Sequence, residues 1–171
     1  EYNQERVKLG YLPIQNGIGI NTGLLMLGTV GGQNRMDSTV ISDAVNIASR
    51  VESLTKTYGV SLLITEQTYS RLTNATSYAI RAIDRVAVRG KSQAVTIYEV
   101  FDADAPELKA KKLANMSLFA TVLELYHQGK LTESASLLAK YLEINQGDRV
   151  AQNYWKRCQV APLELNSSMA N

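Results

Sequence analysis

Asn46 and Arg50 stand four residues apart, about one turn of an α-helix, so both side chains project from the same face. An amide offers a donor and an acceptor together. A guanidinium is a permanent cation whose forked N–H groups match phosphate oxygens. The extended segment before them carries the Thr39 hydroxyl, a rotatable group that donates or accepts. These three residue types can hold a polar substrate and meet negative charge that builds on it. The plainer alternative is an ordinary solvated helix face, since charged residues normally face water.

The helix that must position the pair is legible in its periodicity. At about 100° per residue, Ala44, Ile47, Ala48, Val51, Leu54 and Tyr58 fall on one face. Asn46, Ser49, Arg50 and Ser53 fall on the other. Ser42 and Asp43 sit where an N-cap belongs, and Gly59 sits at the stop. Residues 1 to 9 read as the end of a helix, broken at Tyr11-Leu12-Pro13. Residues 14 to 21 and 24 to 30 read as strands around Thr22-Gly23. Val60 to Ile64 is a short buried strand, Thr65 to Thr68 opens a helix, and residues 77 to 100 are strand-rich with a turn at 89 to 92. Helices on a mostly antiparallel sheet give an α+β layer architecture.

The pattern changes after residue 102. Residues 102 to 106 read as a linker, and the remainder is helical. Leu118, Phe119, Val122, Leu123 and Tyr126 recur at helical spacing. Gly129-Lys130 ends that run. Leu131, Ala135, Leu138 and Leu142 form a second face, and Val150, Ala151, Tyr154 and Trp155 begin a third. The chain therefore divides at 1–102 and 103–171, an α+β part followed by a linker and helical tail.

Composition sets bounds. A net charge of +2 makes no case for nucleic acid as a partner. No apolar run approaches the roughly 18 residues of a transmembrane helix, so any membrane attachment would come from regions upstream. The single cysteine, Cys158, fits a reducing, cytoplasmic setting. His127 reads as a surface residue, and Lys109, Lys111 and Lys112 as a solvated face. There is no His/Cys cluster with zinc spacing. A start at Glu1 without methionine suits a fragment or processed product.

Four blocks, in order, carry a family resemblance: Gly17-Ile18-Gly19-Ile20-Asn21-Thr22-Gly23, Leu27-Gly28-Thr29-Val30-Gly31-Gly32, the V-N-x-A-x-R run from Val45 to Arg50, and Asp84 to Ser92 leading to the closing strand Val95–Val100. Together they resemble the class III adenylate/guanylate cyclases, which convert a nucleoside triphosphate to a cyclic nucleotide and pyrophosphate. The resemblance implies a ferredoxin-like core, N-terminally truncated here and followed by an α-helical hairpin. It implies that Arg50 meets the phosphate in the transition state and Asn46 holds the ribose, both as catalytic residues. Thr39, with Val40 beside it, stands in the base-recognition segment, and Arg89 at the phosphate-contacting Lys or Arg. It also implies ATP as substrate, a homodimer or a second cyclase domain as partner, and Mg²⁺ or Mn²⁺ as cofactor. The metal-holding Asp side chains are expected upstream of residue 1. Asn21 replaces a usual His, Ser38 a common Tyr, and Ser42 a usual Gly.

Tyr126, Gly129 and Ala135 are spaced in a way that resembles a tetratricopeptide repeat, about one and a half units. Such a tail either docks on the cyclase part or a neighbouring chain, or binds a protein partner. Three readings follow. The first is part of an adenylate cyclase supplying the Asn/Arg and base-pocket side of a dimeric site. The others are a non-catalytic cyclase-like partner and an interaction protein that works through its tail. The isolated chain is expected to be inactive, since it lacks the metal carboxylates.

Overall fold

A strand without side chains on one face can lie directly on a helix, and this geometry organises the domain. A computed structural model describes residues 2–32, 35–87 and 94–168, with side chains outside 27, 29–32, 35–41 and 161–168. Helix α1 (Tyr2–Lys8) leads to strand β1 (Ile18–Ile20), the β2–β3 hairpin (Met26–Gly32, Arg35–Ile41), and helix α2 (Asp43–Tyr58). Strand β4 (Leu62–Thr65), the short α3 (Glu66–Tyr69), and strands β5 (Ile80–Val86) and β6 (Val95–Val100) follow. Four helices then complete the described chain: α4 (Pro106–Ala114), α5 (Met116–His127), α6 (Leu131–Ile144) and α7 (Arg149–Ser168).

The main sheet runs β1-β4-β6-β5, with β1 parallel to β4 and the other pairs antiparallel. Registers align Gly19, Leu63, Glu99 and Arg81 in one row across all four strands. Alternation places the row on one face of the sheet. A Cβ at Gly19 would stand 2.2 Å from the Glu52 backbone nitrogen and 2.6 Å from the Ala48 carbonyl oxygen. Glycine is what allows β1 and α2 to approach this closely. Gly19→Ala is therefore expected to lower stability by about 1–3 kcal/mol through overpacking, read as a reduced denaturation midpoint. An unchanged midpoint would contradict the close packing.

Helix α2 covers the Gly19 end of the row, and the C-terminal helices cover the Arg81 end. Phe119, Val122, Leu138, Tyr141, Val150 and Tyr154 share one buried cluster with Ile47, Val51, Leu63, Ile83 and Ile97. The helices beyond residue 102 are thus built into the sheet's core. Pro106, expected in a linker, occupies the first turn of α4, where a missing N–H is tolerated. The opposite row, Ile20, Ile64, Tyr98 and Ala82, is less covered. Tyr69 of α3 stacks on Tyr98 with centroids 4.3 Å apart, while Ile18 and Ile20 are exposed.

The Arg81 end of the row carries charge rather than apolar side chains. Arg81 Nε donates to Glu99 at 2.7 Å, and its Nη1 and Nη2 donate to the two Asp148 oxygens at 2.5 and 2.8 Å. Tyr141 Oη donates to Asp148 at 2.7 Å. Lys112 Nζ pairs with Glu99 and Asp104, each at 2.7 Å. The guanidinium also lies 4.3 Å from the Phe119 ring centroid. Asp148 in turn accepts from the Val150 and Ala151 backbone N–H groups, so it caps α7. The expectation of a solvated lysine face is corrected here. Lys109 and Lys111 make surface pairs with Asp102 and Glu107, but Lys112 is buried, because two carboxylates compensate its charge.

The strand expected over residues 14 to 21 forms its ladder only at Ile18–Ile20, and the next begins at Met26 rather than residue 24. The turn expected at 89 to 92 lies outside the described residues.

Candidate active site

Helix α2 starts where its cap chemistry places it. Ser42 Oγ accepts from the Ala44 backbone N–H at 3.0 Å and donates to the Leu24 carbonyl at 2.5 Å. The cap thereby ties the helix start to the chain entering β2. Gly59 ends the helix at φ 67°, a left-handed conformation that favours glycine. The Ile47, Val51 and Tyr58 face is buried, as the periodicity required, and Thr55 joins it beneath Gly17. Asn46, Ser49, Arg50 and Ser53 are all exposed.

Both Asn46 and Arg50 are exposed side chains on this face of α2. Arg50 also lines a cleft of about 370 Å³ whose walls include Ile47, Leu54, Val86 and Val95. The cleft lies between α2 and the ends of β5 and β6 that lead into residues 88–93. A cation over an apolar, partly enclosed floor acts on a phosphate more strongly than it would in open water.

The other expected residues divide. Thr39 and Val40 lie on β3, paired with Gly28 and Leu27 of β2. They sit three and two residues, respectively, before the Ser42 cap. Arg89 lies outside the described residues. Only Asn46 and Arg50 are thus placed together as side chains.

Two supporting groups were not singled out as positioning residues by sequence. Asn21 Nδ2 donates to the Ala44 carbonyl at 3.0 Å, and its Oδ1 accepts from Thr65 Oγ1 at 2.7 Å. This amide bridges the end of β1, the first turn of α2 and the end of β4. At the other end of α2, Tyr58 Oη donates to Asp84 of β5. Burial, then the Asp84 bond, pushes the Tyr58 phenol up to about 12. The only sequence signal for Asn21 was its place in the glycine block. Asp84 likewise carried only its place at the head of the last family block, because its partners are distant in the chain.

Residues 2–100 match the model of the adenylate and guanylate cyclase catalytic domain. The chain belongs to this family. It is 37% identical over 155 residues to "Adenylate cyclase, terminal-differentiation specific" of Dictyostelium discoideum, covering 89% of this chain and 7% of that protein. It is 50% identical over 105 residues to "Adenylate cyclase" of Anabaena cylindrica, covering 58% of this chain and 21% of that protein. The chain therefore spans a small part of each relative. A solved structure, the adenylyl cyclase CyaB from P. aeruginosa, is 36% identical at a TM-score of 0.47, covering 59% of this chain and 50% of that one. The 155 residues aligned with the Dictyostelium protein exceed the family match, so that similarity continues into the helices beyond residue 100.

Within the cyclase family the two ends of α2 acquire a meaning. Asn46 and Arg50 of the V-N-x-A-x-R run stand on the exposed ridge of a helix held by Asn21 and Ser42 at one end and by Tyr58 and Gly59 at the other. Ser42, standing at a usual glycine, serves as the N-cap. Among the described residues no group of three or more His, Cys, Asp or Glu side chains could hold a metal ion. No helix of the described residues is long and apolar enough to cross a membrane.

Proposed function

We propose that this chain is part of an adenylate cyclase and supplies the Asn46/Arg50 side of a site completed by a second cyclase domain. The carrying observation is the exposed pair on α2: Arg50 lines a cleft, and Asn46 lies one turn before it. In the reaction, the ribose 3′-oxygen loses its proton and bonds to the α-phosphorus of ATP. The bond from that phosphorus to the bridging oxygen breaks, and pyrophosphate leaves. Arg50 stabilises charge on the α-phosphoryl oxygens, where a preorganised cation is worth most. Asn46 hydrogen-bonds the sugar and holds it for in-line attack. Arg89 neutralises the departing pyrophosphate, and Thr39, with Val40, contacts the base.

Among the described residues no group of three or more His, Cys, Asp or Glu side chains could hold a metal ion, and the steps above are those of this chain's own residues. Carboxylates for Mg²⁺ or Mn²⁺ belong, in this reading, to another segment or chain. We keep the ferredoxin-like label for the core and the division at residue 102, with a tetratricopeptide-like character for the α5–α6 pair. That pair is joined by three residues around Gly129. A homodimer or paired cyclase domain, a cytoplasmic location and a protein partner for the tail complete the reading.

In the complete enzyme, ATP is expected to be preferred over GTP, with the preference reduced in Thr39→Ala. The effect is modest, because a hydroxyl can accept from the adenine amino group and donate to the guanine carbonyl. Comparing kcat/KM for the two nucleotides checks this. GTP preference in the parent would overturn the adenylate assignment. Unchanged selectivity in Thr39→Ala would remove that residue from the base pocket.

A further inference from the structure

We propose that helix α7 is a clamp on the C-terminal end of the signature helix α2, and that Asn153 and Arg157 are positioning residues for Arg50. The last carbonyls of an α-helix have no partner within the helix. One of them, Thr57 O, accepts from Asn153 Nδ2 at 2.5 Å, although the two residues are 96 apart in sequence. The stem of Arg149 lies over the Gly59 cap, where a Cβ would come within 2.8 Å of Arg149 Cδ. A cation here also faces the negative end of the α2 dipole.

A second grip lies at Tyr58, the last residue of the helix. Tyr58 donates to Asp84, and Asp84 is also approached by Arg157 of α7 at 3.7 Å and His127 of α5 at 3.5 Å. The Arg157 guanidinium sits 5.3 Å from the Tyr58 ring centroid and 5.2 Å from that of Tyr154. Tyr154, fully buried, donates to the Ile83 carbonyl at 2.8 Å and anchors α7 to β5. The side chains that fix the end of α2 therefore come largely from the tail.

The consequence for Arg50 is mechanical. Thr57 lies seven residues beyond it, about 10 Å along the helix axis. A helix held at both ends keeps its exposed ridge in one orientation; released at one end, it can tilt or rotate. A misplacement of about 1 Å in a positioned catalytic group costs up to about 10²-fold in rate. The helical tail, on this account, belongs to the catalytic apparatus. The similarity to the Dictyostelium protein, which continues past the family match, is consistent with the two parts travelling together.

The proposal rests on the role assigned to Arg50, and two measurements separate the claims. Hydrogen–deuterium exchange is followed at the amides of residues 56 to 60 in the chain, for the parent, Asn153→Ala, Arg157→Gln and Arg157→Lys. Steady-state kinetics with ATP are followed for the same variants of the complete enzyme. The clamp predicts faster exchange at the end of α2 in Asn153→Ala and Arg157→Gln. It predicts a kcat at least about tenfold lower per folded enzyme, with KM nearly unchanged, and partial recovery in Arg157→Lys. Unchanged exchange in both variants would overturn the clamp. Faster exchange with unchanged kcat would overturn the positioning role. Were the parent enzyme unable to cyclise ATP, the proposed function would fall, and exchange alone would still decide the clamp.

Discussion

Arg81→Ala is expected to destabilise the chain by about 3–5 kcal/mol, the cost of breaking a buried ion pair by removing one partner. The substitution leaves Asp148 without its cation and strips Glu99 of one of its two. Lys112 can still serve Glu99, but nothing basic replaces the fork on Asp148. Against a typical total of about 5–15 kcal/mol, that loss is enough to release α6 and α7 from β5. Arg81→Lys should rescue little, because an ammonium cannot make the two-pronged contact. Chemical denaturation of the three proteins checks the effect. A loss below about 1 kcal/mol in Arg81→Ala would mean that the network is incidental to the docking.

The same network sets an acid limb. Burial alone would raise the Asp148 pKa, but the Arg81 hydrogen bonds and charge outweigh it and hold the carboxyl below the usual range. The unfolded chain therefore takes up this proton at higher pH than the folded one, near the ordinary value of about 3.9. The contribution is complete above that value and is lost as pH falls through the lower, folded value. Asp148→Asn should flatten this limb as well as lower stability near neutral pH. An acid limb of unchanged steepness in Asp148→Asn would contradict the assignment.

Arg50→Ala in a complete cyclase is expected to lower kcat by about 10²–10³-fold with a smaller change in KM. Removing one preorganised donor aimed at developing charge typically costs that much. The split between the parameters follows from timing. An interaction made mainly in the transition state lowers kcat, whereas one made equally with bound ATP would raise KM. Asn46→Ala should behave similarly through lost orientation of the sugar. Because α2 exposes both side chains, neither substitution should disturb the fold, and denaturation midpoints near the parent's would verify this.

Much of this arrangement was legible in the sequence, and the reasons differ by element. Helix α2 carried a complete local signal: an apolar stripe, a serine cap and a glycine stop, all found in place. The α5 and α6 faces were similarly periodic, and Phe119, Val122, Leu123 and Leu138 are buried as expected. Periodicity shows that a face is buried, but not against what. The joining of the tail helices to the sheet depends on Arg81 meeting Asp148 across 67 positions and on Tyr154 reaching Ile83 across 71. No local pattern encodes such pairings. Lys112 misled for the same reason, since its neighbours Lys109 and Lys111 do face solvent while its own partners lie elsewhere. The glycines of β1 were read as a family block; their reason is the α2 backbone lying against Gly19.

The central claim is that Arg50 acts on the transition state from the exposed ridge of α2. Its most direct test is the single-turnover rate of cyclic AMP formation at saturating ATP, with ATP affinity measured separately, in the parent enzyme and Arg50→Ala. The account predicts a rate lower by about 10²-fold or more with affinity changed only slightly. A single-turnover rate that stays at the parent's value, or a loss confined to ATP affinity, would contradict it.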